Sequence, residues 1–269
     1  MNRAPVTLSS AFPRAQPRAL DGETELAVAE AVASGTTRPA KVTAIIAAMY
    51  ERLDEKPVDR ETARAVSAAG REWLLQRAAR RFHAASDWFE TTCSGCGARF
   101  DLSLSIDDIP RVAPGDGFPV VDIQTSLGRR AFEVPNGAHE EAFARRQHAD
   151  PLRTFAALCG LSEQADADAI HFDSNDLVQM DEALEAASPE VADSVEALCP
   201  ECGLQTRVRI DPLMFAFPRR TDILQEVHLL ASGYRWSERE ILALPVSRRR
   251  DYAQLIQAER AAPYATRRQ

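Results

Sequence analysis

Two short motifs, Cys93-Ser-Gly-Cys96-Gly97 and Cys199-Pro-Glu-Cys202-Gly203, decide the architecture of this 269-residue chain. Two residues between the cysteines let both thiolates face one point about 2.3 Å from a Zn²⁺ ion, and the following glycine lets the backbone turn back toward the metal. Two such motifs supply four sulfur ligands, which is a closed tetrahedral set. We therefore predict one structural zinc site, with the ligands Cys93, Cys96, Cys199 and Cys202.

Each motif is followed by a stretch in which apolar and polar residues alternate. Because successive side chains of a strand point to opposite faces, this period is typical of a half-buried strand. The alternating positions are Phe100, Leu102, Leu104 and Ile106 after the first motif, and Thr206, Val208 and Ile210 after the second. Residues 120–123 and 131–134 predict two further strands. We predict a small zinc-ribbon-like β core over residues 91–217, with a helical insertion between the two motifs.

The insertion contains three helical segments in its sequence pattern. They fall at residues 139–147, after Asp150-Pro151, and at residues 177–187. We predict that the acidic residues 163–176 form a surface loop and that His139 is exposed in the first turn of its helix. Cys159, the one cysteine outside the two motifs, is predicted to be a small core residue.

The segment before the first motif divides into two parts. Residues 1–20 contain three prolines among small and polar residues without an apolar period, so we predict a flexible arm. Residues 21–90 have a helical pattern, with Asp21 and Asp59 as predicted N-caps. One apolar stripe consists of Val42, Ile45, Ile46, Met49 and Leu53.

The carboxyl-terminal residues 218–269 also have a helical pattern. Asp222 is predicted to cap a helix that ends near Gly233. Ser237 and Glu240 form a capping box, and Trp236 is placed to pack on the first turn of the same short helix. The adjacent residues Arg248, Arg249 and Arg250 are predicted to be exposed. The chain is thus predicted to be an α+β protein: a zinc-ribbon-like β core, a helical amino-terminal region and a carboxyl-terminal helical cap.

The overall charge argues against two classes of partner. The formal net charge of −8 and the isoelectric point of about 5.3 disfavour a protein that coats nucleic acid or an anionic membrane. No apolar run approaches the ~20 residues of a membrane span, and the amino terminus lacks the apolar core of a secretion signal. We expect a cytoplasmic protein with protein partners. The sequence leaves a homo-oligomer open.

The cysteines and the terminal helices each allow other interpretations. A redox pair or a ribbon that has lost its metal remains an alternative to zinc. A zinc deaminase would use His139-Glu140-Glu141, but Leu198 stands where that motif has a proline, and the first cysteine motif stays unexplained. A helix-turn-helix is favoured by the net charge of +4 over residues 219–269 (ten Arg against six Asp or Glu) and disfavoured by Glu238 and Glu240.

The terminal segment carries a resemblance to a known family. It consists of the run Glu226-Val-His-Leu-Leu-Ala-Ser-Gly-Tyr-Arg-Trp-Ser-Glu-Arg-Glu-Ile-Leu-Ala-Leu-Pro245, followed by Arg248-Arg249-Arg250-Asp-Tyr252. This pattern resembles the signature of the T4-type baseplate hub assembly chaperone family of contractile-tailed phages and phage-tail-like injection systems. Zinc-ribbon-containing bacterial members are also similar in carrying two Cys-x-x-Cys-Gly motifs. The chain departs from the family at residues 211–217 and at Gly233.

The resemblance implies a non-enzymatic assembly factor that binds baseplate or hub proteins of a contractile tail. Aromatic and Arg residues are enriched at protein interfaces. The partner contacts implied for this chain are Tyr234, Trp236, Arg249 and Tyr252. The alternative is a zinc-ribbon regulator that binds nucleic acid through its basic terminal helices.

Overall fold

The computed structural model describes residues 3–82, 86–105, 109–145 and 149–261 of the chain. It has the α+β fold that the sequence predicts, with helices towards both ends of the chain and small antiparallel sheets. Ile106, which was predicted to lie in a strand, and residues 146–147, at the end of a predicted helix, lie outside the described residues.

Within the described residues, the α-helices are α1 (Gly22–Ala33), α2 (Arg38–Met49), α3 (Arg60–Arg64), α4 (Ala68–Ala79), α5 (Gly137–Ala144), α6 (Pro151–Cys159), α7 (Ala165–His171), α8 (Ser174–Ala187), α9 (Arg220–Tyr234), α10 (Glu238–Leu242) and α11 (Val246–Ala261). The strands are β1 (Ala15–Pro17), β2 (Tyr50–Leu53), β3 (Lys56–Pro57), β4 (Ser86–Thr92), β5 (Arg99–Ser105), β6 (Arg111–Val112), β7 (Val120–Thr125), β8 (Gly128–Glu133), β9 (Glu190–Val191), β10 (Ser194–Leu198) and β11 (Gln205–Arg209). They pair antiparallel in the orders β1-β2-β3, β4-β5, β6-β9, β7-β8 and β10-β11.

Helices α2, α3, α4 and α5 pack together, and we call them the N-terminal unit. Asp59 caps α3 as predicted, because its carboxylate accepts a hydrogen bond from the Thr62 N–H at 2.7 Å. The predicted stripe of α2 is buried in the largest apolar cluster, although its last member, Leu53, belongs to β2. Burial of this stripe stabilises the unit, since each fully buried aliphatic side chain contributes about 1.5–3 kcal/mol.

Helices α9, α10 and α11 pack with α1 and form what we call the C-terminal unit. The capping box of α10 is confirmed: the Glu240 N–H donates to Ser237 Oγ at 3.3 Å, and the Ser237 N–H donates to the Glu240 carboxylate at 2.8 Å. The Asp21 cap of α1 is confirmed as well. Asp222 is not an N-cap, because α9 begins earlier and places Asp222 in its first turn, 3.0 Å from Arg219.

The two units share one backbone arrangement. In each, a five-residue helix leads through a bend to a longer helix, and the start of a fourth helix docks at that bend. In the N-terminal unit the Gly137 N–H donates to the Val66 carbonyl at 3.2 Å; in the C-terminal unit the Gly22 N–H donates to the Leu244 carbonyl at 3.2 Å. A Cβ on either glycine would overlap the guanidinium of a buried arginine. Both helix starts therefore require glycine.

The two buried arginines occupy equivalent positions in the two units. Arg71 and Arg249 each donate a backbone N–H to the residue that bridges to the docked helix, at 2.9 and 3.0 Å. Arg71 pairs with Glu140 at 2.8 Å, and Arg249 pairs with Glu25. Each glutamate lies in the first turn of the docked helix. The chain therefore contains the same four-helix arrangement twice: once as α2–α5 in the N-terminal unit, and once as α9–α11 with α1 in the C-terminal unit.

Within the predicted arm of residues 1–20, the described residues 3–20 do not form a flexible arm, contrary to the prediction. Thr7, Leu8 and Ala11 are at most 7% exposed, and β1 pairs with β2. The physical reason is that hydrogen bonds hold this segment, and hydrogen bonds leave no apolar period in the sequence. The Val6 and Thr7 N–H groups each donate to the Glu133 carboxylate at 2.9 Å. We call residues 6–17 the strap.

The helical insertion has its own apolar cluster, in which β7 and β8, the two strands predicted there, pack against α6 and α8. The acidic residues 163–176 do not form a loop, because they contain α7 and the start of α8. Their carboxylates act as caps and ion-pair partners. Asp173 accepts the Asp176 N–H at 2.9 Å, and Asp168 pairs with Arg130 at 3.0 Å.

Candidate metal centre and partner surface

Each cysteine motif occupies the turn of a β-hairpin. β4 and β5 flank the first motif and end at the pair Thr92 and Arg99; β10 and β11 flank the second and end at the pair Leu198 and Gln205. The strands after the motifs were predicted, whereas the strands before them were not. The two hairpins approach each other by their turns, so that sequence-distant cysteines meet.

The two turns have the same geometry. Gly97 and Gly203 have φ angles of 74° and 71°, a left-handed conformation that favours glycine. The Gly97 N–H donates to the Cys93 carbonyl at 3.1 Å, and the Gly203 N–H donates to the Cys199 carbonyl at 2.9 Å. The glycine after the second cysteine therefore closes each turn, as the sequence predicts.

The four sulfur atoms form one compact group. All of them lie within 4.8 Å of one another, and two distances between the hairpins are 3.6 Å, from Cys93 Sγ to Cys202 Sγ, and 3.7 Å, from Cys96 Sγ to Cys199 Sγ. A tetrahedral zinc with Zn–S bonds of about 2.3 Å separates its sulfurs by roughly 3.8 Å. The cysteines are free thiols rather than disulfides. The donor set and its spacing fit a metal ion of tetrahedral preference.

The surroundings of the sulfurs favour a thiolate at the first cysteine. Backbone N–H groups of Cys96 and Gly95 lower the pKa of the Cys93 thiol to about 6. The Gly95 N–H lies 3.4 Å from Cys93 Sγ, and the Thr206 hydroxyl of the other hairpin donates to the same sulfur at 3.7 Å. Cys93 and Cys199 are buried, and the other two cysteines are exposed. One side of the site is therefore held by protein and the other faces solvent.

Three of the four predicted partner contacts form one aromatic cluster. Tyr234 and Trp236 stack with ring centroids 4.7 Å apart, and Tyr252 meets Trp236 edge-on at 5.2 Å. Tyr234 is 36% exposed, and the other two rings are half-buried. Leu255, one turn further along α11, is 55% exposed. The end of α9 and the outer side of α11 thus present a continuous aromatic and apolar surface.

Arg249, the fourth predicted contact, is not on this surface. Its side chain is 1% exposed, so the prediction of an exposed Arg249 is wrong. It is buried because its guanidinium satisfies two carboxylates of other helices, Glu25 and Glu226. Its neighbours differ: Arg248 is exposed with its guanidinium 6.0 Å from the Tyr252 ring centre, and Arg250 pairs with Glu25 at 2.9 Å.

His139 is buried rather than exposed, contrary to the prediction. Its ring belongs to a capping box: Nδ1 accepts the Asn136 N–H at 3.3 Å, and Nε2 lies 3.4 Å from Glu133. Cys159 is fully buried, as predicted, with its sulfur 3.8 Å from His139 Nδ1. Burial raises the pKa of the Cys159 thiol to about 12, which keeps it neutral. These side chains anchor the strap and the start of α5, away from the four-cysteine site.

No family model, curated protein or solved structure matches this chain. Among the helices of the described residues, none is long and apolar enough to cross a membrane. Function must therefore be inferred from the metal centre, from the aromatic surface and from the resemblance of the terminal segment.

Proposed function

We propose that this chain is a non-enzymatic assembly factor for the baseplate hub of a contractile phage tail or phage-tail-like injection system. It acts in the bacterial cytoplasm, in contact with the assembling particle, by binding baseplate or hub proteins. The observation that carries the proposal is the partly exposed aromatic cluster of Tyr234, Trp236 and Tyr252. It lies within the terminal segment whose sequence resembles the chaperone family.

The metal of the four-cysteine site is, in this proposal, a structural zinc. Four thiolates fill the tetrahedral coordination of zinc and leave no position for a reacting water or substrate. The ion would hold the two hairpins together from opposite ends of the insertion. Its part is to fix the shape of the β core from which the helical units extend.

Elemental analysis tests this assignment. We expect about one zinc per purified chain, because the four sulfurs form one closed site. Chelation should lower the unfolding midpoint, since the free energy of binding a structural metal is also folding free energy. Cys202→Ser should lose the metal, while Cys159→Ala, outside the site, should retain it. A chain without metal whose melting is unaffected by a chelator would contradict the assignment.

The aromatic cluster is suited to protein binding for two reasons. Tyr and Trp side chains bury a large area at low entropic cost and are enriched among the residues that dominate binding energies. The three rings also contact one another, and Trp236 and Tyr252 pack on the apolar core of the C-terminal unit. Binding to it therefore orders little protein that is not already ordered.

A binding measurement with purified baseplate and hub subunits tests the function. The double variant Trp236→Ala/Tyr252→Ala should lose about 2 kcal/mol or more, roughly thirtyfold in affinity, for one of these subunits. Ile170→Ala on α7 is the matched control, because Ile170 is apolar and 69% exposed but distant in sequence from the cluster. It should bind like the unaltered chain. Circular dichroism and thermal melting of both variants separate lost binding from lost folding.

The same proteins distinguish the nucleic-acid alternative. A regulator that binds DNA or RNA through basic helices should bind with a steep salt dependence. The assembly factor should bind little nucleic acid at physiological salt and should bind a hub subunit. Absence of hub binding together with salt-dependent DNA or RNA binding would replace the proposed function by the alternative.

A further inference from the structure

The strap covers one particular place on the N-terminal unit, the bend between α3 and α4. We call residues 65–67 the N-terminal elbow. The Leu8 N–H donates to the Ala65 carbonyl at 2.7 Å, and the Ser67 hydroxyl donates to the Ala11 carbonyl at 3.4 Å. At Gly70, a Cβ would overlap the Ala11 carbonyl oxygen. The strap is therefore an irregular segment, with bends at Thr7, Ser9, Ala11 and Phe12, that is held on the elbow by hydrogen bonds to its backbone and by close backbone approach.

Apolar burial accompanies these hydrogen bonds. Leu8 of the strap belongs to the same buried cluster as Val58, which precedes α3, and Leu74 of α4. Val58 and Leu74 are 8% and 0% exposed. Phe12, further along the strap, meets the Trp73 ring edge-on at 5.7 Å. A bent, non-helical segment with the spaced apolar side chains Leu8 and Phe12 thus closes this face of the unit.

The C-terminal unit has the same bend but no covering segment among the described residues. We call residues 243–245 the C-terminal elbow. Trp236 and Tyr252 occupy the positions of Val58 and Leu74, and both are half-buried instead of buried. Ala243, the counterpart of Ala65, is exposed. Within the described residues, no group donates a hydrogen bond to the Ala243 carbonyl.

The charges around the C-terminal elbow indicate the chemistry of an occupant. Arg248 stands at the position of Gly70, where the strap places a carbonyl oxygen, and its side chain is exposed. Arg239 on α10 is exposed as well. Over the described residues 219–261, eight Arg stand against six Asp or Glu, a net charge of +2, and the acidic residues include the exposed Glu238 and Glu240 of α10. A guanidinium at this position would donate to a carboxylate of the occupant.

We propose that the C-terminal elbow binds a short non-helical segment of a partner protein, in the position that the strap occupies on the N-terminal elbow. The segment is apolar at spaced positions, which pack on Trp236 and Tyr252, and it carries an acidic side chain that meets Arg248. One of its backbone N–H groups donates to the Ala243 carbonyl. This inference rests on the proposed function, because it names the kind of contact that the assembly factor makes with its hub partner.

Selection from a library of short random peptides displayed on phage tests the mode of binding without knowledge of the partner. The full-length chain is immobilised, and the selected peptides are measured against it and against Leu244→Glu, a half-buried elbow position. We expect enriched peptides with apolar residues spaced as Leu8 and Ala11 are in the strap, together with Asp or Glu. They should bind Leu244→Glu and Arg248→Glu at least about tenfold more weakly.

Two controls keep the test decisive. Ala243→Arg, at an exposed position, serves if Leu244→Glu fails to fold, and Ile170→Glu on the distant helix α7 should leave peptide binding unchanged. The inference is overturned if no peptide is enriched, or if the enriched peptides bind the elbow variants as well as the unaltered chain. In that event, hub binding that still depends on Trp236 and Tyr252 would leave the proposed function standing. If no selected peptide depends on the elbow and hub binding does not depend on Trp236 and Tyr252, the inference and the proposed function are both overturned.

Discussion

The N-terminal and C-terminal units have the same backbone frame and differ in what lies on the bend between the short and the long helix. On the N-terminal unit the strap covers the bend, and Val58 and Leu74 are buried there. On the C-terminal unit the equivalent positions hold Trp236 and Tyr252, which stay partly exposed. Among the described residues, the strap covers the bend of one copy and no segment covers the bend of the other, which indicates where a partner would bind.

The largest expected effect tests the shared frame itself. Arg71→Met and Arg249→Met should each destabilise the protein by about 3–5 kcal/mol, because either change removes the cation from a buried ion pair. Arg248→Met, next in sequence to Arg249 but exposed, should change stability by no more than about 0.5 kcal/mol. Urea unfolding of the three variants measures the free energies. A mild effect at Arg249 with a severe one at Arg71 would break the equivalence of the two units.

A smaller effect is expected where the strap is anchored. Glu133 accepts hydrogen bonds from Val6, Thr7 and His139, and Glu133→Gln should cost about 1.5–3 kcal/mol because those bonds are made to a charged group. Burial alone would raise the pKa of Glu133, but these hydrogen bonds outweigh it and lower the pKa below the ordinary glutamate value. Hydrogen exchange in the strap should rise in the variant.

The lowered pKa of Glu133 fixes the sign of a pH dependence. The stability that its carboxylate supplies is complete above the ordinary glutamate pKa and is lost as the pH falls through the lower folded-state value. Glu133→Gln should therefore flatten part of the acid side of the stability profile. An acid limb of equal slope in both proteins would show that Glu133 is not a tether of the strap.

The smallest of these effects concerns Gly22, the first residue of the docked helix α1 in the C-terminal unit. Gly22→Ala should cost about 1–3 kcal/mol through overpacking, because its Cβ would lie 2.8 Å from the Leu242 Cα and would overlap the Arg249 guanidinium. Gly35→Ala is the matched control, since nothing lies within 4 Å of a Cβ there. Thermal unfolding of both variants gives the comparison. Equal melting of the two would contradict the close approach at Gly22.

The sequence predicts those parts of the fold that depend on local chemistry. Asp21, Asp59 and Ser237 were identified as caps because each bonds to a backbone N–H three residues away. The four clustered cysteines were identified because their spacing and glycines are fixed by a local turn. The α+β class followed from these elements and from hydrophobic periodicity.

The sequence does not predict features that depend on contacts between distant residues. The strap has no apolar period, and what holds it is the Glu133 carboxylate from another part of the chain. Arg249 looks like a surface residue beside two other arginines, and only the arrival of Glu25 buries it. His139 is likewise buried by Glu133 and Asn136. The repeat escapes the sequence pattern because the identities that its two copies share, such as Arg71 with Arg249 and Glu140 with Glu25, are few and widely scattered along the chain.

Hydrogen–deuterium exchange of the full-length chain, alone and with a hub subunit that binds it, tests most directly whether the open face is the working surface. We expect the amides of residues 243–253 to gain protection from exchange in the complex. Those of residues 65–75, already covered by the strap, should stay as they are. Protection confined to the cysteine hairpins or to the N-terminal unit, with residues 243–253 unchanged, would contradict the account.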